Sequence, residues 1–306
     1  MIEVGRRPHL DAPAVWLYAS FADRIDGGNP AGAVVSAAPL EASLAQAIAA
    51  VMSVPTTGFA VVAPEATADS PVDVRFFTPE REIDACGHVT LAVAAALVEC
   101  DLWHQGRDVI VRARGGDFPL RLRDGRTEMD QRLQHLESAP IGWPDVKAAL
   151  DGVQPRKDLP LEVVGTGLRH LVVPVVEAAA LGALGIDAAR ITTLAVRAGV
   201  DTICVWGPTT VPNRVRVRDL CAAIGAVEEP ASGTTSGALG LYLERHGQLS
   251  GPDLVIEQGV EMGRPSRIDV AIDPPDAVTV RGSARKVLSG TLELPSEGPS
   301  SGRRSR

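Results

Sequence analysis

Aromatic residues are scarce in this chain, at 4 % of 306 residues. Its cores must therefore be built from Val, Leu, Ile and Ala rather than from large rings. Lysine is confined to Lys147, Lys157 and Lys286. An excess of basic charge is missing too: 30 Lys and Arg face 38 Asp and Glu, for a net charge of -8. That balance argues against a nucleic-acid partner, which needs a cationic face for phosphates. No segment approaches the ~20 consecutive apolar residues of a membrane span. The longest apolar stretch, Leu91 to Val98, is too short and follows polar residues. The start of the chain, with Glu3, Arg6, Arg7, His9 and Asp11, lacks the apolar run of a signal peptide. The expectation is a cytoplasmic protein without a membrane partner. The 4 cysteines, Cys86, Cys100, Cys204 and Cys221, form no CxxC pair and no metal-ligand spacing. Reduced thiols and no metal are expected. Phosphate-loop and dinucleotide-binding glycine patterns are absent as well.

What is present is enough apolar residue, 45 %, for one large domain or two ordinary ones. Short apolar runs, Val15 to Ser20 and Ala33 to Ser36, flank the turn Gly27-Gly28-Asn29-Pro30. Helical spacing follows over Leu40 to Met52, then a buried strand over Gly58 to Val62. Val72 to Phe77 alternates as a half-buried strand does. After Cys86-Gly87-His88 comes a segment to Glu99 that is apolar nearly all round, so it reads as a helix enclosed on every side. Strands are expected at Val109 to Val111 and Leu120 to Leu122. The second half echoes the first: Arg214 to Arg218 alternates, a polar loop runs from Glu228 to Thr234, and an apolar helix spans Thr235 to Arg245. Further strands are expected at Leu254 to Glu257, Ile268 to Ile272, Val278 to Arg281 and Gly290 to Leu294. Strand, glycine-containing polar loop and apolar helix thus occur twice, a weak internal duplication in which a sheet wraps a central helix. The proline-rich stretch from Ser138 to Pro160 is the expected crossover.

Several motifs resemble those of one family. Phe21 with Gly28-Asn29-Pro30-Ala31 is similar to the F-x-GNPA motif of PhzF-like proteins. Arg75-Phe76-Phe77-Thr78-Pro79, Glu82 and Cys86-Gly87-His88-Val89-Thr90 resemble their RxFTPxxE…CGHxT block. Glu228-Glu229-Pro230-Ala231-Ser232-Gly233-Thr234 resembles EDPxTGS, and Gln258-Gly259 with Gly263-Arg264-Pro265-Ser266 resembles QGxxxGRPS. Their shared order over roughly residues 14 to 295 is what makes the likeness specific. The resemblance implies an α+β, diaminopimelate epimerase-like fold of two pseudo-symmetric halves, each a mixed β-barrel-like sheet around a central helix. It implies an N-terminal half over 1–137, completed by a strand near 287–295, and a C-terminal half over 138–286. A Ser/Gly/Arg/Pro-rich stretch over 296–306 is expected to be a disordered tail.

The same resemblance implies a cofactor-free acid/base site between the halves. Two helix starts, at Gly87 and at Gly233-Thr234, offer unpaired N–H groups and partial positive charge to a substrate carboxylate. His88 titrates near neutrality by residue type, and Glu229 stands where the family usually has Asp. Thr56, in Pro55-Thr56-Thr57-Gly58-Phe59, falls where the family's SETxF motif carries a proton-transferring Glu. A hydroxyl there is no base near neutral pH without a strong partner. Glu229, His88 and Thr56 are therefore the expected catalytic residues. Gly87, Gly233, Thr234, Asn29, Cys86 and His170 are expected to bind substrate. Gln258, Arg264, Arg75 and Glu228 read as structural. The expected activity is a cofactor-independent isomerase that shifts a proton, and with it a double bond, in a small unsaturated carboxylic acid of natural-product or antibiotic biosynthesis. Two alternatives stay open: an epimerase or racemase using Cys86, and a catalytically inactive small-molecule-binding homologue. A homodimer is common in the family, although no sequence signal marks one.

Overall fold

The computed structural model describes residues 12–63, 70–273 and 275–293; the stretch 296–306, expected to be a tail, lies outside them. The first half runs β1 (Ala14–Ser20), β2 (Asn29–Ser36), α1 (Ala42–Met52), β3 (Thr56–Val61), β4 (Val72–Phe77), β5 (Glu82–Ile83), α2 (Gly87–Glu99), β6 (Asp108–Ala113), β7 (Gly116–Arg123) and β8 (Arg126–Arg132). After β9 (His135–Ser138) the proline-rich stretch holds α3 (Trp143–Ala149) and β10 (Leu150–Asp151). The chain continues through β11 (Glu162–Gly165), β12 (Arg169–Pro174), β13 (Gly185–Ile186), α4 (Ala188–Ala198), β14 (Thr202–Pro208), β15 (Arg214–Leu220) and β16 (Glu228–Glu229). It closes with α5 (Gly233–Arg245), β17 (Asp253–Gln258), β18 (Ser266–Asp273), β19 (Ala277–Gly282) and β20 (Ala284–Thr291).

The strand pairings reveal the duplication that the sequence only hinted at. Along β1-β2-β3-β4-β6-β7-β8 the successive pairs are antiparallel, parallel, antiparallel, parallel, antiparallel and antiparallel. Along β11-β12-β14-β15-β17-β18-β19 the series is identical. Each parallel step is bridged by a helix, as a parallel connection requires: α1 and α2 in the first half, α4 and α5 in the second. An outer strand completes each array: β20 lies antiparallel to β1, and β9 to β11. The two arrays join where β8 pairs with β19.

The central helices obey the enclosure argument. From Val89 to Leu97, α2 buries every residue except Ala95. All of α5 from Thr235 to Leu243 is buried. Mid-helix glycine costs about 1 kcal/mol in propensity, yet Gly237 and Gly240 sit inside α5. Packing explains them: a Cβ on Gly237 would lie 2.1 Å from Gln131 Oε1, and one on Gly240 3.0 Å from Ile272 Cδ1. The strands wrap too closely for side chains at those points.

Local boundaries differ from the periodicity reading in ways that matter for the site. β2 begins at Asn29, inside the turn motif, and β3 at Thr56 rather than Gly58. α5 begins at Gly233, two residues before the expected Thr235. Pairing to a neighbouring strand, and the Ser232 cap, decided these ends. The strands β8, β11, β12 and β14 and the helix α4 had no counterpart in the periodicity reading. No helix among the described residues is long and apolar enough to cross a membrane.

Candidate active site

The two helix starts occupy equivalent places. Cys86 precedes α2 and Ser232 precedes α5, and both helices open on glycine and run for 13 residues. The helices touch one another. Cys86 lies close enough to Glu229, which precedes α5, for the negative carboxylate to disfavour its thiolate. The α2–α5 contact and the Asn29–Glu229 hydrogen bond bring both starts to the interface between the halves. In a first helical turn, backbone N–H groups lack intrahelical partners and carry partial positive charge. Gly87 borders open space, because a Cβ placed on it would meet no atom within 4 Å. Gly233 is buried, and a Cβ there would lie 3.4 Å from the Phe21 ring, so Thr234, half-buried, is the outward residue of that turn.

Glu229 is half-buried at the cleft. Its Oε2 accepts a 2.5 Å hydrogen bond from Asn29 Nδ2, which also donates to the Ala231 carbonyl at 3.0 Å. Burial raises the proton affinity of Glu229, the Asn29 bond lowers it, and the nearby Asp219 charge raises it; the result is a pKa of about 7. Desolvation disfavours the ionised form of a carboxyl, which is how an acid/base group is brought to neutrality. Gln258, fully buried, fixes the turn: its Nε2 donates to the Glu229 carbonyl at 2.7 Å and its Oε1 accepts from Ser232 N at 3.3 Å. Arg218 holds Glu228 through a bidentate pair at 3.0 and 2.7 Å, so Glu228 is structural and Glu229 is left for the cleft.

The opposite wall comes from the first half. His88 is half-buried, its ring Nδ1 3.4 Å from Cys86 Sγ, and its carbonyl accepts a 2.6 Å bond from Ser20 Oγ. Burial pushes the imidazole down to about 4, so it is neutral at neutral pH. The Cys86 thiol is pushed up to about 12 by burial, partly offset by hydrogen bonding from Thr56 among others. Thr56 is 4 % exposed and lies beside Ala31 in the β2–β3 ladder. Glu229, Cys86, His88 and Thr56 thus come together, with both helix starts and Thr234.

Two residues expected to bind substrate are fully buried. Asn29 has no exposed surface; its amide nitrogen is engaged by Glu229 and Ala231 and so positions the acid, while its Oδ1 is buried without a protein partner. His170 is fully buried behind the start of α5, 2.7 Å from Thr202 Oγ1 and 3.3 Å from Thr235 Oγ1. The missed partners are Asp219, Thr202 and Thr235, all buried in the second half. Asp219 left one trace in the sequence: an acid among the inward residues of the strand Arg214–Leu220. Arg264 and Arg75, read as structural, each pin a loop or ladder. Arg264 donates to the Gly28 and Gly27 carbonyls at 2.9 and 3.1 Å, and Arg75 pairs Glu82 through two 2.8 Å bonds. Phe21 adopts φ 60, a left-handed conformation costing about 1–2 kcal/mol. That bend carries its ring beside Gly233 and Gly282.

The raised carboxyls make a stability prediction. Glu229 shifts from 4.5 to about 7 and Asp219 from 3.8 to about 6. Below about pH 3 both are protonated folded and unfolded, and neither costs stability. As pH rises from about 3 to 7, the unfolded chain ionises first, so these groups reduce stability across that window. In urea unfolding, the stability of Glu229→Gln relative to the native chain should rise by up to about 3 kcal/mol between pH 4 and pH 8. A pH-independent difference would contradict the burial argument.

Comparison with known proteins identifies the family and the fold. The family model described as phenazine biosynthesis-like protein (PhzC-PhzF) matches residues 18–290. An isomerase of Deinococcus radiodurans is 31 % identical over 259 residues, covering 80 % of this chain and 82 % of that protein. The trans-2,3-dihydro-3-hydroxyanthranilate isomerase of Pseudomonas chlororaphis is 31 % identical over 285 residues, covering 90 % of this chain and 97 % of its own. A PhzF-family protein of Bacillus anthracis superposes with a TM-score of 0.80 at 23 % identity, over 92 % of this chain and 99 % of that one. A probable proline racemase of Agrobacterium radiobacter shares the fold at a TM-score of 0.57 and 11 % identity, over 94 % of this chain and 95 % of that one.

Proposed function

Since this chain belongs to the phenazine biosynthesis-like (PhzC-PhzF) family and is an isomerase of that family, we propose that it moves a proton, and with it a double bond, within a small unsaturated carboxylic acid, using its own side chains without a cofactor. The observation that carries this reading is Glu229: a half-buried carboxyl with a pKa of about 7, held by Asn29 beside two helix starts. At neutral pH such a group takes a proton and returns it with little energetic penalty either way.

In the proposed reaction, the substrate carboxylate sits against the N–H groups at Gly87 and at Gly233-Thr234. Ionised Glu229 removes a proton from a carbon conjugated with that carboxylate. The electron pair of the broken C–H bond moves along the conjugated system toward the carboxylate, where the helix starts stabilise the charge. Glu229, now neutral, returns the proton to a different carbon. Neutral His88 orients the substrate by hydrogen bonding, or carries the proton over the second step. Nothing is gained or lost overall. Thr56 supplies a hydroxyl where a family glutamate is expected, so this single-carboxylate route favours a substrate whose C–H bond is already acidified by conjugation. Dihydroanthranilate-type acids, such as the compound naming the Pseudomonas relatives, have that character, and they would place the chain in natural-product biosynthesis.

The test is incubation with trans-2,3-dihydro-3-hydroxyanthranilate and related cyclic dienoic acids in deuterated water. Deuterium should enter the isomerised product at one carbon. Absence of exchange and of isomerisation across the series would remove the proposal.

Cysteine-based racemisation is disfavoured by geometry. The position opposite Cys86 is Ser232, so a second thiol is lacking there, and the Cys86 thiol is hard to ionise. Cys86→Ser should therefore retain turnover within about tenfold, whereas loss of a thiol base costs several orders of magnitude. Steady-state kinetics on the purified variant separates the two.

A further inference from the structure

The duplication aligns residues across the two halves, and one set of aligned positions has diverged in a consistent direction. Ala31 pairs with Thr56 as His170 pairs with Thr202. Phe76 pairs with Ile83 as Asp219 pairs with Glu229. Val89 and Thr235 are each the third residue of their helix. The bidentate pairs Arg75–Glu82 and Arg218–Glu228 fix the alignment, because they occupy equivalent places in the two ladders. Where the first half holds Ala31, Phe76, Ile83 and Val89, the second holds His170, Asp219, Glu229 and Thr235. The apolar pair Phe76–Ile83 has become a pair of acids side by side.

Asp219 is 1 % exposed. Its Oδ2 accepts a 2.7 Å bond from Thr235 Oγ1. Its Oδ1 is buried with no partner. Burying a second carboxyl beside Glu229 is costly, and packing does not demand it, since phenylalanine fills the equivalent place in the first half. From Asp219 the contacts run outward: Thr235 Oγ1 lies 2.9 Å from Ser232 Oγ, which lies 3.2 Å from Thr234 Oγ1 at the cleft.

We infer that Asp219 is a positioning residue for the proton chemistry of Glu229: a buried acid paired with it across the β15–β16 ladder, held by Thr235, that tunes the carboxyl which takes and returns the proton. The inference deepens the role proposed above for Glu229 and rests on that reading for its link to catalysis. Like charges a few ångströms apart in a poorly solvated site disfavour simultaneous ionisation. The electrostatic effect of Asp219 on Glu229 is in that direction. The other groups that face the pair do not cancel it. His170 is pushed by burial down to about 3 and is neutral. Cys204 and Cys221 are thiols held protonated by burial, and so is Cys86 across the cleft. Arg218 is next to Asp219 in the strand, but it points to the other face and is engaged by Glu228.

The experiment is a titration of the Glu229 carboxyl in the unliganded full chain, with carboxyl-13C glutamate and the resonance assigned by its absence in Glu229→Gln. Asp219→Asn should lower the Glu229 midpoint by about one pH unit. Thr235→Val keeps the volume but removes the donor, leaving Asp219 protonated to higher pH. It should lower the midpoint in the same sense, and it carries the test if Asp219→Asn does not fold. Midpoints unchanged in the folded variants overturn the inference. The kinetic readout is separate: the pH profile of kcat/KM should move on its acidic side by the same interval in Asp219→Asn. A merely structural Asp219 would lower kcat/KM at every pH without moving the profile. If the midpoint moves and the profile does not, the tuning stands and the catalytic role proposed for Glu229 falls.

Discussion

Glu229→Gln is expected to lower kcat by about 10²- to 10⁴-fold, the range carried by a positioned acid/base group, while KM changes little. The substitution suits this site because the glutamine carbonyl oxygen still accepts from Asn29 Nδ2, which now donates to Glu229 Oε2 at 2.5 Å. The Gln258 bond reaches the main chain of residue 229, so it survives as well. Position is therefore retained and only the exchangeable proton is lost. In the native chain, kcat/KM should rise with pH through about 7 as Glu229 ionises to the base form, and the variant's residual activity should lack that step. Asn29→Ala acts on the same group in the opposite way. The Asn29 hydrogen bond stabilises the ionised form, so its removal should shift the step to higher pH. Steady-state profiles from pH 5 to 9 on the three proteins check this. A variant Glu229→Gln with normal turnover would remove Glu229 from the mechanism.

The second large effect concerns the ion pair beneath the site. Arg218 and Glu228 keep 9 % and 8 % of their side-chain exposure, and Arg218 also donates to the carbonyls of Leu181 and Leu184 at 3.2 and 3.3 Å. Arg218→Ala leaves a buried carboxylate without its partner and two carbonyls without a donor. The expected loss is about 3–5 kcal/mol, a large share of the 5–15 kcal/mol typical of a folded domain. The pair as a whole contributes far less, because the attraction of two buried charges is offset by their desolvation. The double variant Arg218→Met with Glu228→Leu should therefore regain most of the stability lost in the single one. Chemical denaturation of the two proteins reads this directly. Activity should separate from stability: with the β15–β16 ladder loosened, Glu229 loses its placement, and kcat falls even where the double variant folds well.

How far the sequence led depends on the kind of signal. The two central helices were legible because they are apolar almost all round, and that pattern admits few arrangements other than enclosure. The ordered motifs led to the cleft residues Glu229, Cys86, His88 and Thr56, which the structure brings together. Asn29 and His170 were named as substrate contacts, and the protein partners that hold them, Glu229, Ala231, Thr202 and Thr235, were not foreseen. Both are fully buried, and a residue's type does not reveal on which side of a strand its partner lies. Asp219 passed unnoticed although it shares the inward side of its strand with Val215 and Val217, since that position alone does not reveal an acid's partners.

The sequence by itself determined the periods: which runs pleat, which coil, and where glycine and proline break them. Those are properties of neighbouring residues, and local sterics enforce them. Register was decided by the tertiary structure alone. Pairing Asp219 with Glu229, and Phe76 with Ile83, depends on strands meeting across loops. Burial followed from that meeting and moved the proton affinity of Glu229 to neutrality. Desolvation belongs to the assembled surroundings of a group, and Glu229 acquires it only when the first half of the molecule closes over it.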